Sequence, residues 1–201
     1  MLAYLALGVG YGFAAAVQPG QLQAYLVSQT VTNGWRRTIP AAFAPLVSDA
    51  PIVCLVLLVL TRVAAILVRV LQCAGGVFLL YLAYGALHAA RHYEEAVSRP
   101  SPARVTFVRA VLLNFLNPNP YIAWTLILGP LLVGAWREAP IRGVTLVAAF
   151  YLTMVFSMAG MVVLLGAARS LGHRLARALV ACSAVALGAF GLFELWKGLA
   201  G

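Results

Sequence analysis

The sequence predicts an all-α integral membrane protein, with six transmembrane helices arranged as two inverted three-helix repeats and with the first and fourth helices broken. Composition is the first observation behind it. The 201 residues are 63% hydrophobic and 9% charged, whereas an ordinary soluble domain is roughly 25% charged. The second is patterning: mean hydropathy is +0.95, and several uncharged runs are long enough to cross a bilayer. The third is a duplicated interruption. Gln18-Pro19-Gly20-Gln21 breaks one apolar run, and Asn117-Pro118-Asn119-Pro120 breaks another about 100 residues later. Proline donates no backbone hydrogen bond and pushes the preceding residue out of the α region. In hydrocarbon, backbone freed in this way is tolerated only against protein or a wet cavity. Two interrupted helices at matching places in two halves point to the binding site of a transporter.

The first span runs from about Leu2 to Thr32, in two pieces, Leu2–Val17 and Gln21–Thr32. Asn33-Gly34-Trp35-Arg36-Arg37 closes it, with Gly as terminator, Trp at the interface and Arg in water. The second span, about Ile39–Leu60, contains Pro40, Pro45 and Pro51 and is expected to kink; it also holds Asp49. In the third, about Ile66–Leu87, Gly75, Gly76 and Gly85 predict close helix contact. Arg91 to Arg104 is a polar connection rich in charge and proline, expected as a solvated loop. The fourth span, about Val108–Val133, stops near Asn117 and restarts near Pro120, and it leaves through Gly134-Ala135-Trp136-Arg137, an echo of the first exit. The fifth, about Gly143–Ala168, is uncharged. The sixth, about Ala178–Phe193, ends at Glu194 and Lys197 and shows a small-residue face at Ala184 and Gly188. The organisation expected is a first repeat over 1–90, a cytoplasmic linker over 91–107 and a second repeat over 108–201.

The net charge of +9 does not indicate nucleic acid, because the basic residues lie between apolar segments rather than on one face. One side takes Arg36, Arg37, Arg91, Arg99, Arg104, Arg109, Arg169, Arg174 and Arg177; the other takes Arg62, Arg69, Arg137, Arg142 and Lys197. The excess of positive charge marks the first side as cytoplasmic, so both termini are expected outside. No Lys or Arg precedes Arg36, so the basic start of a signal peptide is lacking. Cys54, Cys73 and Cys182 fall within spans, without CxxC or Cys/His ligand spacing, and read as small buried hydrophobes. No metal site and no cofactor are expected.

Asp49 is the sharpest single signal, the one acidic residue expected inside a span. A carboxylate at a helix centre costs about 2.5–3.5 kcal/mol on insertion scales, so such residues face a cavity or a partner and mark ion or proton paths. It is the candidate for coupling to protons; the alternative is a structural hydrogen bond at a helix break. Gln18, Gln21 and Gln23 flank the first break, and Asn114, Asn117 and Asn119 the second. Amides donate and accept, so they suit a polar or zwitterionic ligand and equally suit capping of the broken helices. The helix starts after each break carry free N–H groups that favour a carboxylate. Tyr25, Ser28, Tyr121 and Trp124 follow the breaks by about a turn and are candidates to line a pocket or simply to pack.

A Pro-Gly in the first span (Gln18-Pro19-Gly20), a Gly-Trp-Arg exit, an Asp in the second span and Asn-Pro in the fourth together resemble the LysE/RhtB amino-acid exporters. The likeness covers nearly the whole chain. Three departures fall on the inferred pocket: Gln21 stands where the family typically has the last residue of Pro-Gly-Pro, Gln18 stands before Pro-Gly where small residues are common, and the second motif, Asn117-Pro118-Asn119-Pro120, carries an extra Pro. The resemblance implies a bacterial inner-membrane exporter of amino acids or similar small metabolites, a secondary transporter working by alternating access and driven by the proton gradient or potential. The substrate-binding set expected on this basis is Gln18, Pro19, Gly20, Gln21, Tyr25, Asp49, Asn114, Asn117, Pro118, Asn119 and Trp124, with Asp49 coupling. The partners expected are a small-molecule substrate and the lipid bilayer, with a homodimer through small-residue faces also compatible. The alternatives are a cation or metal-ion exporter of the wider superfamily, which needs several ligands within the membrane, and a non-transporting membrane scaffold.

Overall fold

The structure, a computed structural model, describes residues 1–59, 65–168 and 172–200. Among the described residues the regular structure is helical throughout, the form in which a chain in lipid satisfies its own backbone. Arg62 and Arg169 of the charge pattern, and the connections that hold them, lie outside the described residues.

Helix α1 (Leu2–Val17) ends before Pro19, and α2 (Gln21–Asn33) starts after it at an angle of 61°. Gln23 Nε2 donates to the Ala15 and Ala16 carbonyls, acceptors that the break removes from the helical ladder. Gly34 closes α2 at φ 85°, in the left-handed region that glycine enters without a Cβ penalty. The predicted second span is assembled from α3 (Trp35–Thr38), a 3-10 turn (Ile39–Phe43) and α4 (Ala44–Val59). Pro40 and Pro45 sit in the first turns of the last two pieces, where a missing N–H costs nothing, and Pro51 lies inside α4.

Helix α5 (Ala65–Arg91) runs past the Leu87 expected as its end. The polar connection is not a bare loop, because it contains α6 (Tyr93–Ser98), whose first turn carries Glu94 and Glu95. It is also tied down: Ser101 N–H donates to Asn33 Oδ1 at 2.8 Å and Arg37 donates to the Pro100 carbonyl at 3.1 Å. The fourth predicted span comprises α7 (Ala103–Leu116), α8 (Pro118–Ala123), a π-helical turn (Trp124–Leu128) and α9 (Gly129–Glu138). The restart comes at Pro118 rather than Pro120, because Asn117 caps it by accepting from Asn119 N–H at 3.0 Å and Pro118 takes the first helical position.

The last helices are α10 (Pro140–Ala168) and α11 (His173–Ala200). The expected end of the sixth span at Phe193 is therefore too early. Helix α11 continues for about two more turns and carries Glu194, 5% exposed, inside the fold. Asp49 is thus not alone as a buried acid. Among the described residues, four segments are long and apolar enough to cross a membrane, Trp35–Val56, Val68–Arg91, Pro140–Ala167 and His173–Ala200, and the bent pair α1–α2 makes a fifth if it counts as one span. The α7–α9 stretch is not among them.

Lipid offers helices little hydrophobic incentive to associate, so close van der Waals packing has to hold them together. Helix α1 packs on α10, α5 on α11 and α4 on α7, while α2 leans on α11 and α10. Glycines set the closest approaches. A Cβ on Gly8 would lie 2.6 Å from the Leu146 carbonyl oxygen, and one on Gly76 would lie 2.8 Å from that of Gly191. Gly75 meets Leu116 in the same way, but Gly85 has open space where a contact was expected. Large apolar side chains such as Leu164, Phe156 and Leu199 cover the outside, the surface that faces lipid in a multi-pass membrane protein. Cys54 and Cys182 share that exposure, contrary to the expectation of buried thiols.

Candidate functional site

Both breaks face one another across a cavity of about 150 Å³, closed by α4 on one side and α10 on another. The first break contributes Gln18, Pro19, Gly20 and Gln21 to its wall. Asn114, Asn117, Asn119 and Pro120 come from the second, with Trp124 a turn further on, and α4 contributes Asp49.

Two expected residues lie elsewhere. Pro118 is buried in the first turn of α8 and does not line the cavity. Tyr25, 1% exposed, donates to the Thr106 carbonyl at 3.3 Å and lines a separate cavity with Arg99 and Arg109. It follows Gln21 by one helical turn along α2, so it lies deeper in the bundle than the break. Tyr121 spans the second break, donating to the Phe115 carbonyl at 3.0 Å, which is backbone satisfaction rather than an open wall position.

Asp49 is 4% exposed and held from two elements. Asn114 Nδ2 on α7 donates to Asp49 Oδ1 at 2.7 Å and to Ser48 Oγ at 2.7 Å. Ser48 in turn donates to the Ala44 carbonyl at 3.0 Å. Tyr151 on α10 donates to Asp49 Oδ2 at 3.3 Å. Each carboxylate oxygen therefore has a donor, and the acid is oriented rather than free to swing. Two aromatic rings, Trp124 and Phe150, line the cavity, and Tyr151 braces both: Phe150 and Tyr151 lie edge to face at 5.0 Å, and Trp124 stacks on Tyr151 at 6.4 Å.

The start of α2 adds the opposite polarity. Gly20 occupies its N-cap with no side-chain cap, so the N–H groups that every helix leaves free at this end keep their partial positive charge, and Gly20, Gln21 and Leu22 of this end line the cavity. The site thus offers one acid, a ring of amides and one helix start. Among the described residues no group of three or more His, Cys, Asp or Glu side chains is placed to hold a metal ion.

Tyr151, Phe150 and Ser48 escaped sequence reasoning. Tyr151 follows Asp49 by 102 positions, nearly the interval between the two breaks, and that spacing is the signal through which the fifth span could have been searched for a partner of the second. Ser48 adjoins Asp49 directly. Phe150 carries no signal, being one aromatic among many in an apolar run.

A family model for the LysE type translocator matches residues 13–198. The comparison with curated proteins and the comparison with solved structures each returned no match.

Proposed function

Because the chain belongs to the LysE type translocator family and is thus a membrane transporter of small molecules, we propose that it is a secondary exporter of amino acids or similar small polar metabolites across the bacterial inner membrane, coupled to protons. The observation that carries the reading is the pairing within one cavity of Asp49 with the uncapped start of α2. An amino acid presents an ammonium and a carboxylate a few ångströms apart. Asp49, with Asn114 and Tyr151 orienting its oxygens, is an acceptor for the ammonium, and the α2 start is a donor set for the carboxylate. Gln18, Gln21, Asn117 and Asn119 supply donors and acceptors for a polar side chain. Asp49 takes a proton when the substrate leaves, which couples the two fluxes.

Alternating access is supported by the helix partnerships. With halves at 1–90 and 108–201, α1 of the first packs on α10 of the second, α7 of the second packs on α4 of the first, and α5 pairs with α11. Exchanging the halves maps this set of contacts onto itself, as inverted repeats require, and the cavity lies between them. Rocking one half on the other opens that cavity to alternate sides. The charge pattern supports a cytoplasmic α6 end of the bundle and both termini outside.

The test is efflux of labelled amino acids from proteoliposomes, with and without an imposed pH gradient. Gradient-dependent efflux of one or a few amino acids is expected. Absence of efflux for every amino acid tried, from protein shown to be folded, contradicts the reading.

A further inference from the structure

Glu194 is the buried acid that the transport reading does not use. It faces α2 from α11, and Gln21 Nε2 donates to its Oε1 at 3.1 Å. Two buried atoms of this pair have no hydrogen-bond partner: Glu194 Oε2 and Gln21 Oε1. Both are acceptors as long as the acid is ionised, so neither can satisfy the other. Exchanging the nitrogen and oxygen of the amide does not help, because whichever end meets the carboxylate, acceptors are left over on both residues. A single proton on Glu194 resolves both atoms at once. It converts Oε2 from acceptor to donor, and the natural acceptor is Gln21 Oε1, giving the two-bond ring of an acid with an amide.

Lys197 is the nearby charge that acts on Glu194, and it favours the ionised form without pairing with it. Lys197, on the same helix, lies over the Phe193 ring at 4.5 Å and forms no ion pair with Glu194. Helix α2 carries no charged residue, and the hydroxyl of its Tyr25 is spent on Thr106. On α5, Arg69 and Cys73 pack at Gly198, one turn beyond Glu194. Asp49 differs in kind, because both its oxygens already accept from donors.

We propose that Glu194 is a proton-binding site, distinct from Asp49, whose proton is held by Gln21 and whose loss is felt in the cavity wall that Gln21 forms. The link from Glu194 to substrate handling rests on the transport reading; the proton site itself does not.

Infrared spectroscopy of the folded protein in lipid nanodiscs at neutral pH tests it. A protonated carboxyl has a C=O stretch separate from the carboxylate bands. That band is expected in the wild type, lost in Glu194→Gln and kept in Asp49→Asn. Glu194→Gln is expected to fold, because two facing amides close the same ring. Should it not fold, wild-type protein labelled with carboxyl-13C glutamate decides without a mutation: the band shifts if it comes from a Glu, and Asp49, the one Asp of the chain, is silent. Gln21→Leu is expected to move the band to higher frequency by removing its acceptor. A wild type with no glutamate carboxyl band, or a band indifferent to Gln21→Leu, overturns the proposal. In proteoliposomes that export, Glu194→Gln is expected to remove one component of the pH dependence of KM and leave the component that Asp49 contributes, and a pH dependence identical to that of the wild type removes the link to the cavity. If neither protein exports anything, the transport reading fails and the infrared result stands by itself.

Discussion

At the scale of single residues, the site depends on how Asp49 is held. Asn114 serves two acceptors, Asp49 Oδ1 and Ser48 Oγ, over short bonds, whereas Tyr151 serves one acceptor over a longer bond. Removing a donor from a buried charged group costs about 1–3 kcal/mol, and Asn114→Ala leaves the greater number of atoms unpaired. Asn114→Ala is therefore expected to weaken transport by about tenfold or more and to lower thermal stability. Tyr151→Phe keeps the ring packing with Trp124 and Phe150 and is expected to cost severalfold in transport with a smaller fall in melting temperature than Asn114→Ala. Initial efflux rates and melting curves of the two variants check this order. Asp49, Gln21 and Asn114 could be picked out from sequence because a polar side chain in an apolar run has few reasons to be there. Tyr151 and Phe150 could not, because an aromatic in such a run is ordinary until the helix register is known. Glu194 was hidden by a boundary: placing the helix end at Phe193 turns a buried acid into a terminal one.

At the scale of elements, the breaks were the most legible feature. Pro19 and Pro118 dictate where a helix cannot continue, and the structure bends or restarts the chain at both. The second span and the polar connection were less so. Three prolines close together do not say which piece becomes a 3-10 turn, and Glu94-Glu95 starts a short helix that charge and proline content disguised. Of the three glycines expected at close contacts, Gly75 meets Leu116 and Gly76 meets Gly191 at their backbones, while Gly85 points into open space. Small size permits close approach but does not show on which face it occurs. Gly76→Leu is accordingly expected to push α5 from α11 and to lower the melting temperature in detergent, the overpacking costing about 1–3 kcal/mol. Gly85→Leu is expected to be near neutral, and a comparison of the two melting curves checks both.

At the scale of the whole molecule, the basic residues gather where the connections lie. Arg91, Arg174 and Arg177 share one surface cavity with α6, and Arg37 binds the chain at Pro100. On the cytoplasmic assignment, a cysteine placed at Ser101 in a cysteine-free background is expected to be labelled by an impermeant thiol reagent only in inside-out vesicles. One placed at Ala139 is expected to be labelled only in right-side-out vesicles, and the reverse pattern inverts the topology. The central claim is that the cavity between the two breaks binds the exported amino acid through Asp49. Equilibrium binding of that amino acid to purified wild-type and Asp49→Asn protein, both shown to be folded by their melting curves, tests it most directly. Loss of a charged hydrogen bond worth about 1.5–3 kcal/mol predicts a Kd raised about tenfold to a hundredfold in the variant. Equal affinity in the two proteins would contradict the claim and move the substrate away from Asp49.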